Sequence, residues 1–348
     1  MKKRIEWIDI AKFIGIFFVM FSHFEICPEY LRVFFTPFYL SIFFFCSGYC
    51  YKHTDDFPSF IKKKIRQLFI PWLIYSNLNI ILSNILSFKH HANGFATEVF
   101  RNLLQIRYYD ERLWFIPAMF SAYIPFFFLI RSYQKNKNTK SLLFVCTVLA
   151  LIRKLYKAYM NPQWLPWNLT SLPWHIDYIP TAMFFMALGY IYKNEWEKYL
   201  DPFFDLRKEI ALTCIYCFLV YFAYFSDIAF PLLIDFLYDH IRHICGLLFI
   251  IQIAKKISPN KYVLYVGSNT LLYFCLHNKA ITLTETVFKK FLPDLFSSVT
   301  GNALLSTAFC LIFTIVISIV LIIPTELIHR YLPWTIGKPM KNNAHTQI

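Results

Sequence analysis

Ten apolar runs separated by short polar connections constrain this chain more than any other feature. They lie at about 5–24, 33–51, 69–87, 113–131, 142–159, 177–192, 209–225, 230–254, 262–283 and 303–323. A helix crosses a bilayer with roughly 17–25 apolar residues, so the sixth and seventh runs sit at the lower limit. In all, 57 % of the residues are hydrophobic and 16 % charged, against roughly 45–50 % and 25 % in soluble domains. A soluble fold of 348 residues has no interior large enough for that surface, but a bilayer does. The expected fold class is therefore all-α: a polytopic integral membrane protein with about ten transmembrane helices. No connection is long enough to be a soluble domain, so residues 1–330 read as one transmembrane domain and 331–348 as a short cytoplasmic tail.

Lysine and arginine set the orientation. With the N-terminus inside, the alternate connections that become cytoplasmic hold about 22 of the 35 basic residues, and the outer ones hold 11. Lys12 and Arg242 fall within spans. The bias recurs connection by connection, which places both termini in the cytoplasm of a multi-pass protein of the cell inner (plasma) membrane. The net charge of +14 is dispersed among these short runs rather than clustered, so nucleic acid is not an expected partner. The nine cysteines are odd in number and lie mostly in apolar stretches, with neither a disulfide framework nor paired metal spacing. The first run carries Asp9 and Lys12 and lacks a small-residue cleavage site, unlike a removable signal peptide.

Ionisable groups inside a bilayer are costly, which makes each a functional candidate. The first run holds Asp9, Lys12 and His23. Asp9 and Lys12, three apart, can pair on one helix face. Lys12 and His23, eleven apart, return to nearly the same face about 16 Å further along the axis. A snorkelling ion pair plus a histidine held by a neighbouring helix explains the trio equally well. His277 lies in the ninth run, where a packing role competes with a catalytic one. The eighth run holds Asp235, Asp239, His240, Arg242 and His243. No metal is expected there, because the two histidines lack a carboxylate-rich partner helix. Arg242 suits a phosphate or carboxylate, or a salt bridge to Asp239. The connection at 161–177 gathers Trp164, Trp167, Trp174 and His175, which read as interface anchors or as a stacking platform for a sugar ring.

At these residues the sequence resembles the membrane acyltransferase-3 family, and within it the fucose-4-O-acetylase-like sugar O-acetyltransferases. RIEWIDIAKFIGIFFVMFSHF, at 4–24, is similar to the family's first helix, where Asp and a basic residue precede His. Many members have Arg, ten residues, then His; here Lys12 takes the Arg position, as in the fucose-acetylase-like branch. FFFCSGYCYK at 43–52 resembles the Ser-Gly-Tyr block. KKKIRQLFIPWLIYS at 62–76 resembles the basic loop before a Pro-aromatic helix start, with Arg66 and Pro71 matching. LWFIPAMF at 113–120 resembles the Trp-Phe-x-Pro block and contains Trp114. FFMALGYIYK at 184–193 resembles the Leu-Gly-Tyr block, and VGSNTLLYFCLHN at 266–278 resembles the block that ends at His277.

The resemblance implies acyl transfer, typically acetyl from acetyl-CoA or another acyl-CoA to a hydroxyl of a surface polysaccharide sugar or its lipid-linked precursor. Acyl-CoA is then a donor substrate, with no permanently bound cofactor. A neutral imidazole near pH 7 is suited to take the hydroxyl proton, which makes His23 the candidate general base, with Asp9 and His277 in support. Lys12 and Arg66 are the candidate binders of the donor's phosphates. Trp114, Trp174, His175 and Arg242 are the candidate contacts of the glycan or lipid-linked acceptor. The alternative is a multi-span transporter or flippase for a polar or lipid-linked substrate.

Overall fold

Apolar runs punctuated by Pro, Asn and Asp fold into helices whose ends those residues fix. A computed structural model describes residues 5–86, 94–109, 111–226 and 228–338. Lys2, Lys3, Arg4, Lys89, Lys341 and positions 339–348 of the tail lie outside the described residues. The helices are α1 (Glu6–Ser22), α2 (Glu29–Tyr39), α3 (Ser41–Tyr49), α4 (Phe57–Lys64), α5 (Ile70–Leu86), α6 (Phe95–Leu104), α7 (Phe115–Asn136), α8 (Thr139–Tyr159) and α9 (Ile179–Ile191). They continue with α10 (Glu197–Phe203), α11 (Leu206–Phe225), α12 (Leu232–Lys256), α13 (Lys261–Ser268), α14 (Thr270–Phe291), α15 (Pro293–Thr300), α16 (Ala303–Val320) and α17 (Ile322–Tyr331). No strand occurs among the described residues.

Five stretches are long and apolar enough to cross a membrane: Glu29–Tyr49, Phe57–Ile85, Phe115–Asn136, Leu206–Phe225 and Ala303–Tyr331. Each of the ten apolar runs lies largely on helix. α1 has 17 residues, and α12, although 25 long, carries several charges.

The breaks have local causes. Pro37 inside α2 cannot donate a backbone hydrogen bond, and Ser41 Oγ donates back to the Pro37 carbonyl at 2.6 Å, so the run kinks at Leu40. Ahead of Pro71, residues Ile65–Phe69 form a π turn that joins α4 to α5. At the α13–α14 break the Asn269 side chain donates to the Tyr265 carbonyl at 2.9 Å, dividing the ninth run in two. Asn138, Asp205 and Asn260 cap α8, α11 and α13 by accepting from Ser141, Lys208 and Val263 amides at 3.0, 2.9 and 2.8 Å. Asp56 caps α4 by accepting from Ser59. The hydrogen bonding by Ser59 holds the Asp56 carboxyl below its ordinary value.

The chain divides into two units. The first comprises Met1–Lys52, Ser132–Met160 and Pro180–Ile319; the second comprises His53–Arg131, Asn161–Ile179 and Val320–Ile348. In the first, α1 is central and packs on α2, α3, α12, α13 and α14. Glycines permit the closest crossings. A Cβ on Gly48 would lie 1.8 Å from the Met186 carbonyl oxygen, one on Gly189 2.0 Å from that of Phe45, and one on Gly267 1.9 Å from that of Asp9. The Ser-Gly-Tyr and Leu-Gly-Tyr blocks are thus the two sides of one helix crossing. α11 packs on α12 and α2, and of its residues only Tyr216 and Val220 are buried. In the second unit α5 packs on α6 and on the turn Pro333–Ile336, which also packs on α17.

Replacing Gly48 by alanine drives a methyl into backbone. Overpacking of this kind costs about 1–3 kcal/mol or more. Gly48→Ala is therefore expected to lower the melting temperature in detergent sharply. Gly301→Ala should melt like the wild type, because its nearest neighbour would lie at 3.5 Å. Equal melting of the two variants would contradict the crossing.

Candidate active site

The charged trio of the first run separates into two places on α1. Near its start, Lys12 Nζ lies 2.7 Å from Asp9 Oδ1. Asp9 is buried, 7 % exposed, and the Gly267 backbone packs against its carbonyl. At the other end, α1 stops at Ser22 and His23 is its C-cap residue. His23 was expected inside the span. It is exposed and caps the helix end, where Ser22 Oγ and His23 Nδ1 both turn back to the Val19 carbonyl, at 3.0 and 2.6 Å. Arg32 donates to the carbonyls that follow, those of Phe24 and Glu25, at 2.7 and 3.1 Å.

α14 brings His277 to this end. The two imidazole centroids are 4.9 Å apart with planes at 88°. His277 is 2 % exposed, with Nδ1 at 2.9 Å from the Phe274 carbonyl and 3.1 Å from that of Tyr273. A carbonyl can only accept, so the neutral ring carries its proton on Nδ1 and keeps its lone pair on Nε2. The Val19 carbonyl assigns the same tautomer to His23. His277 Nε2 is buried with no hydrogen-bond partner among the described residues. Such an atom is an acceptor waiting for a hydroxyl or a water.

Arg242 makes the ion pair with Asp239, at 3.2 Å. Lys154 of α8 joins it, 2.6 Å from Asp235 and 2.9 Å from Asp239. Two cations and two carboxylates thus balance between α8 and α12, which lets these helices carry charge. His240 and His243 turn their Nδ1 atoms onto the Phe236 and Asp239 carbonyls of their own helix.

The second unit holds the other sequence candidates. Trp114 lies edge-on to Tyr178 at 5.4 Å and 5.5 Å from His175. Trp174 stacks on Phe69 at 5.7 Å and meets Trp72 at 5.0 Å. Trp174 and His175 both have left-handed φ, 55° and 53°, and so does Leu113 before Trp114, at 55°. Non-glycine residues held there cost on the order of 1–3 kcal/mol each and cluster at functional sites. A buried network holds the loop before Trp114. Asn102 Oδ1 accepts from the Arg112 amide at 3.0 Å, and its Nδ2 donates to Ser76 Oγ at 3.0 Å. Arg66 is exposed, and Gly337, at φ 72°, presses on its carbonyl. Lys12 belongs to the first unit and Arg66 to the second.

Sequence reasoning missed three groups. Arg107 lies 4.2 Å over the Trp114 ring and donates to Glu111 at 3.1 Å. It therefore covers a ring face that a sugar would need. Lys255 bridges Glu197 and Asp201 at 2.8 and 2.6 Å, 4.7 Å over the Trp7 ring. Tyr49, which donates to Glu197 at 2.7 Å, and Tyr192, 3.1 Å from Lys255 Nζ, were the available signal in the two blocks. Buried Glu285 accepts from the Glu25 amide at 2.7 Å. Its spacing of eight from His277 was legible, but it falls beyond the ninth apolar run.

A family model described as an acyltransferase domain matches residues 5–323. No curated protein and no solved structure matches the chain.

Removing one partner of a buried ion pair leaves an uncompensated charge. Asp9→Asn should therefore destabilise the protein by on the order of 3 kcal/mol, and adding Lys12→Met should recover part of the loss. Thermal denaturation of the single and double variants in detergent measures this. A double variant no more stable than Asp9→Asn would refute the pairing.

Proposed function

Because the chain belongs to the acyltransferase-3 family, we propose that it is a membrane-bound O-acyltransferase of the fucose-4-O-acetylase-like branch. It moves acetyl from acetyl-CoA to a hydroxyl of a surface polysaccharide sugar or its lipid-linked precursor. Acyltransferase chemistry and membrane character come with the family; the branch, donor, acceptor and residue roles are our reading.

The observation that carries the reading is the contact of His23 with His277, 4.9 Å between ring centroids, each ring with Nδ1 on a carbonyl. His23 Nε2 takes the acceptor hydroxyl's proton as that oxygen attacks the thioester carbon. The tetrahedral adduct expels the CoA thiolate, which receives the proton. His277 Nε2 accepts a hydrogen bond from the acceptor and orients it. Lys12, steadied by Asp9, binds a donor phosphate. Arg66 is proposed for the same role from its charge and sequence position. Trp114, Trp174 and His175 are proposed for the acceptor. Arg242, tied to Asp239, contributes through that network.

We read the chain as ten spans in the inner membrane with both termini cytoplasmic. Contacts within the first unit support this. Trp7, Tyr49, Tyr192 and Lys255 stand at ends that the charge pattern assigns to the inside, and they meet in one cluster. The outer ends meet separately, Glu25 with Glu285 and Tyr30 with Thr307. A cysteine at Ser59 or Lys135 should stay unlabelled by an impermeant maleimide in intact cells and react after permeabilisation. Labelling of either from outside would refute the topology.

Membranes supplied with radiolabelled acetyl-CoA should transfer label to glycan or glycolipid. His23→Ala should lower that rate by about 10²–10⁴ while the variant stays monodisperse in detergent. Mass analysis of the surface glycan with and without the protein then identifies the acceptor. Near-normal transfer by folded His23→Ala would overturn the assignment, and no transfer at all by the wild type would favour the transporter.

A further inference from the structure

We propose that Glu285 is a positioning residue that fixes the turn after α1 and so holds the His23 imidazole against His277. The inference rests on the reading of His23 given above. His277, Ile281 and Glu285 follow one another at i, i+4 along α14, a ridge of side chains, and all three are buried. One end of the ridge meets the His23 ring. The other reaches the backbone two residues beyond it, where Glu285 Oε1 accepts from the Glu25 amide at 2.7 Å. From the opposite direction, Arg32 donates to the Phe24 and Glu25 carbonyls. Side chains from α2 and α14 therefore fix both carbonyls and one amide of residues 24–25.

This matters because His23 lies outside α1's regular ladder. Its ring direction depends on its own Nδ1 contact and on the path of the chain leaving it. An amide-to-carboxyl bond is directional, and 8 % exposure keeps water from competing with it. The neighbouring Lys289–Glu25 ion pair has side chains 44 % and 69 % exposed, where such pairs contribute little. Of these two contacts with Glu25, that of Glu285 is thus the stronger. Its needed property is an acceptor oxygen at the right reach. Glutamine keeps that oxygen, aspartate withdraws it by one methylene, and leucine removes it.

The test compares Glu285→Gln, Glu285→Asp and Glu285→Leu in the full chain in detergent. Diethyl pyrocarbonate modification is mapped by mass spectrometry. In the wild type His23 should react and His277 should not. In Glu285→Leu His277 should become reactive, and in Glu285→Gln the wild-type pattern should persist. Acetyl transfer from labelled acetyl-CoA should fall about 10–100-fold in kcat for the Leu and Asp variants, as expected of a displaced catalytic group. The KM for acetyl-CoA should stay within about twofold, because donor binding is untouched, and Gln should restore kcat. If the Leu variant does not fold, the Asp variant carries both readouts. An unchanged modification pattern and kcat in a folded Leu or Asp variant would overturn the role of Glu285 even where His23→Ala is inactive. Activity retained in His23→Ala would instead overturn the catalytic reading, leaving the modification pattern to judge the turn on its own.

Discussion

Backbone laid directly on backbone is the contact from which the first unit is built. Between helices in a bilayer there is no hydrophobic drive, since lipid tails are as apolar as leucine. Association depends on how closely the surfaces fit. Gly48, Gly189 and Gly267 remove the side chain at the points of closest approach. The crossing at Gly267 sets α1 beside α13 at the level of Asp9. The chain then runs from Asp9 to His23 and from Gly267 to His277 in the same sense, and the two histidines meet. The geometry at the far end of α1 thus depends on the absence of a methyl group near its start.

What the sequence made legible follows from cost. Charges in apolar runs are expensive, so Asp9, Lys12, Arg242 and His277 stood out, and the i, i+3 pairs Asp9–Lys12 and Asp239–Arg242 both form. What it concealed depends on contacts between distant segments. The end of α1 at Ser22 is set by side chains folding back on Val19 and by Arg32, not by a helix-breaking residue. The division of the ninth run at Asn269 comes from one asparagine amide. Arg107 and Lys255 looked like ordinary connection and span-end charges, because nothing in one dimension shows which aromatic ring a cation will cover. The left-handed conformation of Trp174 is equally invisible, since nothing in that residue type favours it, and at His175 the type is only mildly suggestive.

The second unit manages its polar groups differently. Asn102, Gln105 and Ser76 are buried, and their hydrogen bonds run to one another and to the backbone around Arg112. These bonds tie the loop that leads to Trp114 to α5 and α6. Aromatic rings then supply the remaining contacts around Trp174, a mode of packing that needs shape rather than charge.

The way the two imidazoles are anchored has a consequence for proton traffic. A ring whose Nδ1–H is held by a main-chain carbonyl cannot flip without turning a C–H toward that oxygen and losing the bond. Each histidine is therefore a base with a single port. A proton that arrives at Nε2 must leave from Nε2, on the same side of the ring, and cannot be relayed through the imidazole to the helix behind it. Protons at this end of α1 are exchanged on the Nε2 side of each ring, and any group that resets an imidazole must reach it from that side.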